Sequence, residues 1–473
     1  MNTLIHHKYN LKYKHQMQTL RRIIVLLFAI GLIGCSEFVE VDPPKNILIS
    51  ETVFNDPATV ESALANIYYE LREQGMLSGS SGLTTGLGIY SDELDYYGFD
   101  ADYLQLYNHT VVAGNNRILD WWSQAYALIY SANDIIKGVD NSNVLTVEEK
   151  NIFKGQAVLV RAYIHGFLAA LYGDVPYVTT TDYLTNNVIP RTPVSEAYDL
   201  IIHDLTYAIL LLEGSDSVSS ERVLPDIWVA KSLLARMYLY TEQWEQAAAI
   251  ATEPMQRFGL EPDLNKVFLK DSPETIWQFK PGEYPKNTRE ATQLIIQAIP
   301  GQTYALTDDL IEVFEEGDLR KTNWIASISD TEGTVTLHYA HKYKANLKET
   351  ESLEYSILLR SAELYLIRAE ARAHLGEITG AQQDLNAIRN RAGLPNTTAH
   401  TTTDLVSAIL HERRTEFFTE QGHRWFDLKR TGLANETLQD QKLNWQPRDI
   451  LLPVPESEIE MNPNLLPQNN GYQ

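Results

Sequence analysis

The chain has 473 residues, of which 44% are hydrophobic, enough to bury a large core. Its formal net charge is -23 and no basic, aromatic-rich patch offsets it, which argues against binding to nucleic-acid phosphates. The sequence contains no P-loop, dinucleotide-binding, zinc-protease or nucleophile-elbow motif. We therefore predict no enzyme activity, no cofactor and no metal centre.

The N-terminus has the features of an export signal. Arg21 and Arg22 precede an apolar run over residues 23–33, which is too short for a stable transmembrane helix but suits a signal-peptide core. The run ends at Gly34, and Cys35 follows as the single cysteine of the chain. This pattern resembles a bacterial lipobox, in which the cysteine is lipidated. The alternative is that Cys35 is a core residue or a lone nucleophile.

The predicted organisation has three parts. Residues 1–34 form a lipoprotein signal peptide, residues 35–50 an acidic, Pro-containing tether, and residues 51–473 a helical-repeat body. Either Met1 or Met17 is the true start, because residues 1–16 are long for the basic region of a signal peptide.

The first part of the body alternates helical and irregular sequence. A helix begins near Pro57 and places Val60, Leu64, Ile67 and Leu71 on one face. The segment Gly75–Tyr107 reads as a long irregular loop, first rich in Gly and Ser and then in Asp and Tyr. Helical sequence resumes at Ile118, where spacing predicts core positions for Trp121, Trp122 and Tyr126. Residues 228–255 predict a helix pair of tetratricopeptide type.

An irregular, partly β lobe is predicted over about 259–345. This segment is rich in Pro, Gly and Thr, and alternating residues predict one strand face. The residues of that face are Val335, Leu337, Tyr339, His341 and Tyr343.

The stretch from Ser356 to Arg430 predicts three helices. The first carries an apolar face made of Leu359, Ala362, Leu366, Ala369 and Ala373. Thr379 and Gln382 have the spacing of a capping box for the second. The third mixes charges with aromatics, which predicts partly buried ion pairs rather than a solvated face. We assign a structural role to Arg413, Glu416, Arg424 and Asp427.

Tyrosines and acids concentrate in the Gly75–Tyr107 loop and around Tyr284–Tyr304. An aromatic ring can cover the apolar face of a sugar while carboxylates accept from its hydroxyls. The predicted ligand-binding residues are Tyr90, Asp92, Asp95, Tyr96, Tyr97 and Tyr304. The alternative is that most of these tyrosines only attach the loop to the body. The acids Asp92, Glu93, Asp95, Asp100 and Asp102 lack EF-hand spacing, so calcium binding is the weaker reading of that loop.

Several motifs together resemble the SusD/RagB family of surface glycan-binding lipoproteins from Bacteroidetes nutrient uptake systems. The resemblance covers nearly the whole mature chain and is most specific in its C-terminal motifs. The motifs that carry the resemblance are the lipobox at Cys35, LYGDVPYV at Leu171–Val178, RTPVSEAYDLIIHDL at Arg191–Leu205, YALTDDLIEVFEEGDLRK at Tyr304–Lys321, HKYK at His341–Lys344, LLRSAELYLIRAEARAHLGE at Leu358–Glu377, IRNRAGL at Ile388–Leu394, ERRTEFFTEQGHRWFDLKRTG at Glu412–Gly432 and the Pro/Asn-rich tail. The last two of these motifs are the most specific.

The resemblance implies a mainly α, tetratricopeptide-like superhelix without enzymatic activity. It also implies a lipid-anchored, surface-exposed protein of the outer membrane, where acidic residues after Cys35 resemble a surface-export signal. Such a protein delivers oligo- or polysaccharide to a SusC-like TonB-dependent transporter, as part of polysaccharide utilisation. A carbohydrate hydrolase on a helical scaffold and a non-catalytic envelope scaffold are the alternatives.

Overall fold

The computed structural model describes residues 53–73, 76–78, 82–215, 221–282, 287–345 and 349–472. Cys35, the predicted signal peptide and tether, and Tyr284 lie outside the described residues.

Among the described residues, the N-terminal part of the body contains three helices and a short strand. The elements are α1 (Pro57–Glu73), α2 (Leu83–Tyr90), β1 (Leu94–Tyr96) and α3 (Ala101–Tyr107). The predicted face of α1 is confirmed, since Val60, Leu64, Ile67 and Leu71 are at most 2% exposed. Burying four aliphatic side chains at helical spacing fixes α1 against the rest of the body.

The prediction that Gly75–Tyr107 is one long irregular loop is wrong. Helix α2 is buried along its whole length and therefore lacks the amphipathic period by which a helix is recognised. Its glycines allow close packing, because a Cβ on Gly86 would lie 2.6 Å from the Trp121 ring. Trp121 and Trp122 are at most 2% exposed and Tyr126 is partly buried, which confirms their predicted core positions.

A succession of packed helices forms the middle of the body. They are α4 (Asn116–Asn141), α5 (Val147–Tyr172), α6 (Tyr183–Asn186), α7 (Val194–Leu211), α8 (Ile227–Tyr240) and α9 (Trp244–Arg257). Helix α5 begins with a capping box in which Thr146 and Glu149 satisfy each other's backbone N–H groups. Helices α4, α5, α7, α8 and α9 pack in that order, as a helical-repeat array does.

Short antiparallel strands make up the partly β lobe. Its elements are β2 (Thr275–Phe279), α10 (Arg289–Leu294), β3 (Tyr304–Leu306), α11 (Asp308–Glu312), α12 (Leu319–Trp324), β4 (Ile325–Ser329), β5 (Thr336–Ala340) and β6 (Ser356–Arg360). The pairs are β1–β3, β2–β6 and β4–β5. The predicted partly β lobe is present, and β1 and β6 reach it from outside the range 259–345. His341 and Tyr343 follow β5 rather than extending it.

Helices return in the C-terminal part. They are α13 (Ser361–His374), α14 (Ile378–Arg391), α15 (Thr402–Phe417), α16 (His423–Arg430), α17 (Ala434–Leu438) and α18 (Glu456–Met461), with 3-10 turns at Pro447–Ile450 and Pro463–Leu465. Helix α13 packs on α9, α14 and α15, which continues the array. The prediction of a mainly α, tetratricopeptide-like fold is confirmed.

Three details of the predicted C-terminal helices are wrong. Leu359 lies in β6, so the first helix begins only at Ser361. The capping box at Thr379 is absent, because α14 begins at Ile378 and Thr379 already lies in its first turn. The charged helix is two helices, since Gly422 adopts φ of 76° and precedes α16. Such a left-handed residue cannot continue an α-helix.

Candidate functional site

Two strands bring the predicted tyrosines of distant segments together. In the antiparallel register of β1 and β3, Tyr96 lies opposite Tyr304, and their ring centroids are 5.6 Å apart. The Tyr97 N–H donates to the Thr303 carbonyl at 2.9 Å, which extends the pairing by one residue. Tyr304 is 7% exposed and Tyr97 is 40% exposed. The Tyr304 side chain therefore packs on the buried side of the two-stranded β1–β3 ribbon. The Tyr97 side chain faces solvent, on a backbone that the pairing fixes.

The turn after β1 exposes a phenylalanine. The Phe99 side chain is 97% exposed. On one side of it, a Cβ at Gly98 would lie 2.4 Å from the Tyr96 hydroxyl, so only glycine lets that ring fold across the turn. On the other side, Asp100 caps α3 through its side chain and donates its N–H to the Tyr96 hydroxyl at 3.2 Å. The Phe99 ring therefore stands in solvent on an ordered turn, next to the exposed Tyr97.

Carboxylates surround these rings. The Tyr107 hydroxyl donates to Asp95 Oδ1 at 2.9 Å. Burial raises the pKa of Tyr97 above its ordinary value, and the negative charges of Asp95 and Asp308 raise it further. We use the name aromatic surface for Asp95, Tyr96, Tyr97 and Phe99. It combines stacking faces with hydrogen-bond acceptors, as a shallow sugar site requires.

Three of the predicted ligand-binding residues, Tyr90, Asp92 and Tyr304, lie inside the protein, and the expectation that Tyr304 offers a stacking face to a ligand is corrected, because β3 places its ring under the ribbon. Tyr90 is 1% exposed, its hydroxyl donates to the Asp449 carbonyl at 2.6 Å, and its ring packs on Trp425. We correct the expectation that Tyr90 is a solvent-facing platform, because α2 carries it into the core.

Asp92 is also buried, at 3% exposed. Its carboxylate accepts from Arg424 Nε at 2.8 Å and Nη2 at 2.7 Å, and from Arg414 Nη2 at 2.8 Å. Burial raises the pKa of Asp92, but the two guanidinium groups outweigh it and hold that pKa below its ordinary value. Its oxygens are thus committed to the protein, and the expectation that Asp92 meets a sugar hydroxyl is corrected.

Glu93 differs from its neighbour because no guanidinium contacts it among the described residues. Its Oε2 accepts only from the Thr419 N–H at 3.2 Å. Burial raises the pKa of Glu93 to about 8, and the charge of Asp92 contributes to that rise. A neutral Glu93 beside an ionised Asp92 avoids placing two buried negative charges together.

The charged C-terminal segment forms buried ion pairs, as predicted. Glu416 in α15 is fully buried and accepts from Arg320 at 3.0 Å, from Arg360 at 2.5 Å and from Arg391. Burial raises the pKa of Glu416, but these three guanidinium groups hold it well below its ordinary value. Because Arg320 and Arg360 come from the lobe and Glu416 from the array, this cluster joins the two.

The other charged residues of this segment also pair within the body. Arg413 Nε lies 2.7 Å from Asp427 Oδ2, and Arg424 pairs with Asp92. The predicted ion-pairing of Arg413, Glu416, Arg424 and Asp427 is confirmed. Arg414 and Arg424, which both donate to Asp92, fasten the segment before β1, and hence the β1–β3 ribbon beneath the aromatic surface, to α15 and α16.

Phe99 is the residue that sequence reasoning missed at this surface. Tyrosines beside acids are what marks this loop in the sequence, whereas Phe99 stands alone between Gly98 and Asp100. The available signal was an apolar residue between two turn-forming residues, where neither a helix nor a strand would bury it.

The described residues show neither a metal-ion site nor a membrane-spanning helix. Within them, no group of three or more His, Cys, Asp and Glu side chains is placed to hold a metal ion. None of the helices resolved in those ranges has the length and apolar character that crossing a membrane requires.

Family models match both halves of the chain. The model described as the SusD family matches residues 273–472. A second, described as starch-binding associating with outer membrane, matches residues 37–239. The chain belongs to the SusD family. SusD-like protein P2 of Formosa agariphila is 27% identical, over 95% of this chain and 99% of that protein.

Solved structures share the fold of this SusD family member. A SusD-like protein from Bacteroides fragilis superposes with a TM-score of 0.77 at 23% identity, covering 89% of this chain and 98% of that one. A laminarin-binding SusD-like protein superposes with a TM-score of 0.75 at 22% identity, covering 88% and 99%.

Proposed function

We propose that this protein binds oligo- or polysaccharide at the aromatic surface and delivers it for uptake. The observation that carries the proposal is the pair Tyr97 and Phe99, which are 40% and 97% exposed on a hydrogen-bonded ribbon beside Asp95. Proteins of the SusD family are glycan-binding, and one structural neighbour is described as laminarin-binding. Both facts support a sugar as the ligand.

The proposed mechanism is non-covalent. The rings of Tyr97 and Phe99 cover the C–H faces of successive sugar units, and each stacking contact contributes about 1–3 kcal/mol by analogy with other stacked ligands. The half-buried Asp95 accepts from sugar hydroxyls. Tyr96 and Tyr304 do not reach the ligand through their faces but hold the ribbon, so little conformational entropy is lost on binding.

We further propose that this binding occurs at the outer cell surface and together with a transporter. Residues 1–34 direct export, the lipid on Cys35 and the tether over 35–50 hold the body over 51–473 at the outer cell surface, and a SusC-like TonB-dependent transporter receives the glycan. One of the matching family models is described as associating with the outer membrane, which supports this location. The protein acts without catalysis, in line with the binding character of its family.

The test uses the lipid-free body and a fixed panel of neutral hexasaccharides, namely laminarihexaose, maltohexaose, cellohexaose and xylohexaose. Calorimetry should detect binding of at least one, and Tyr97→Ala together with Phe99→Ala should weaken it about 25-fold or more, two contacts of at least 1 kcal/mol each. Tyr69→Ala removes a tyrosine elsewhere that is 48% exposed, close to the 40% of Tyr97, and is the matched control. The proposal fails if the double variant binds as tightly as Tyr69→Ala, or if reducing ends accumulate during incubation.

Delivery is tested separately. The lipidated protein, tagged at its C-terminus, should co-purify from mildly solubilised native outer membranes with a TonB-dependent β-barrel protein in near-equal amount. Recovery of the tagged protein without any such transporter would contradict the delivery step while leaving glycan binding intact.

A further inference from the structure

A second aromatic cleft lies on helix α4. Trp122, Tyr126 and Tyr130 line it at intervals of four residues, so they lie on one helix face with successive side chains about 6 Å apart. Trp122 is 2% exposed, Tyr126 is partly buried and Tyr130 is 48% exposed. Trp122 therefore lies at the bottom of the cleft and Tyr130 at its solvent-exposed rim.

The facing wall consists of a short helix and the C-terminal turn. Tyr183, at the start of α6, is 65% exposed and lines the cleft together with Asn187. Two hydrogen bonds fasten the C-terminal turn to this wall, since Asn462 donates to the Ile189 carbonyl at 2.8 Å and Asn464 to the Val188 carbonyl at 2.7 Å. This wall is thus fixed by its own hydrogen bonds, and the cleft between it and α4 has a volume of about 530 Å³, within the usual range of ligand pockets.

One carboxylate points into this cleft. Glu458 in α18 accepts from Ser123 Oγ at 3.4 Å and from the Trp122 side chain, and no Lys, Arg or His pairs with it among the described residues. Burial raises the pKa of Glu458 above its ordinary value. None of the described residues that line the cleft is Lys or Arg, so nothing in its lining would attract an anion.

The cleft is separate from the aromatic surface. Near the start of α4, the Arg117 guanidinium lies 4.9 Å from the Tyr103 ring centroid, which places that end beside α3 and the aromatic surface. Tyr130 lies thirteen residues further along the same helix, or about 20 Å at about 1.5 Å per residue.

We propose that this cleft is a second glycan-binding site that takes uncharged oligosaccharides. Tyr130 and Tyr183 supply stacking faces at the rim, while Glu458 and Asn187 accept from or donate to hydroxyls within. The ligand class rests on the proposed function, but the site, its residues and its preference for uncharged sugars are independent of the aromatic surface. A chain that holds two sites on one rigid body binds a long polysaccharide more tightly than either site alone.

The test is a calorimetric titration of the body with the four neutral hexasaccharides and with trigalacturonate as the anionic probe. For at least one neutral sugar we expect two sites per protein. Tyr130→Ala together with Tyr183→Ala should remove one site or weaken it at least five-fold, and Tyr97→Ala together with Phe99→Ala should remove the other. Tyr69→Ala should retain both. The melting temperature of each variant checks that it is folded, and the exposed positions of Tyr130 and Tyr183 favour that result.

The outcomes separate the two proposals. One site that only the Tyr97/Phe99 variant abolishes would overturn this inference and leave the proposed function standing. One site that only the Tyr130/Tyr183 variant abolishes would support the cleft and overturn the aromatic surface. Binding of trigalacturonate at the cleft, or no binding of any neutral sugar, would overturn the inference, and the second result would also overturn the proposed function. Capture of a polypeptide by the cleft without sugar binding counts against it in the same way.

Discussion

Replacing Arg424 by alanine should lower stability and spare glycan binding. The side chains of Arg424 and Asp92 are 12% and 2% exposed, and two hydrogen bonds of 2.8 and 2.7 Å join them. Removing one member of a buried pair costs about 3–5 kcal/mol. Because Arg414 still donates to Asp92 at 2.8 Å, we expect the lower end, about 3 kcal/mol. With an unfolding entropy of about 2.1 cal/mol/K per residue over roughly 420 residues, the melting temperature should fall about 3 °C.

The assay is differential scanning calorimetry at neutral pH, followed by calorimetric titration of the same variant with its best-binding hexasaccharide. Lys266→Ala breaks an exposed pair of 3.7 Å and should change stability by less than about 1 kcal/mol, so it is the control. Since the folded pKa of Asp92 is depressed, its contribution is present at neutral pH and is lost as pH falls through that pKa. The gap between wild type and variant should therefore narrow in acid. An unchanged melting temperature together with lost binding would refute this reasoning and would place Arg424 in the ligand site.

Three further predictions follow from single positions. Burial and the charge of Asp92 raise the folded pKa of Glu93 to about 8, so this group lowers the stability of the protein as pH rises from about 4 to 8. Glu93→Gln should therefore raise the melting temperature more at pH 8 than at pH 5. Equal shifts of the melting temperature at both pH values would contradict this prediction. Gly98→Ala should displace the Tyr96 ring and weaken glycan binding several-fold at nearly unchanged melting temperature, and an unaltered affinity counts against the packing argument. Cys35→Ala should release the protein from the outer-membrane fraction, whereas pelleting like wild type would reject the anchor.

Long-range pairing explains much of what the sequence did not reveal about the site. Tyr96 and Tyr304 are more than two hundred residues apart, and each belongs to a strand of three residues, too short to show an alternating pattern. Both were nevertheless predicted as site residues from their polar, aromatic surroundings. Composition thus identified the region. Only the register of β1 and β3 decides that the Tyr304 ring is buried under the ribbon and that the Tyr97 ring faces solvent.

Tyr90 and Asp92 show the complementary limit. Both stand in a sequence that is rich in Gly, Thr, Asp and Tyr, which is also typical of exposed loops. Helix α2 is buried on every side, and a helix without a polar face gives no amphipathic period. The partners that bury Asp92 lie more than three hundred residues later, so no local pattern reports them.

The helical array was predictable because its signals are local. Residues of α1 and of α13 repeat at steps of three and four, and that spacing alone defines a buried face. The boundaries were less certain, since β6 runs directly into α13 at Ser361 and no side chain caps that junction. The ion pairs of Glu416 were predictable in kind from the mixture of charges and aromatics, but not their partners, which come from three other segments.

The most direct test compares one exposed tyrosine with one buried tyrosine of the same segment. Tyr97→Ala and Tyr90→Phe are titrated with the same hexasaccharide, and their melting temperatures are recorded. We predict that Tyr97→Ala weakens binding about 5- to 150-fold, the equivalent of 1–3 kcal/mol, and melts like wild type. Tyr90→Phe should lose about 1 kcal/mol of stability with its hydrogen bond to the Asp449 carbonyl and keep full affinity. Full affinity in Tyr97→Ala with lost affinity in Tyr90→Phe would contradict the aromatic surface as the glycan site.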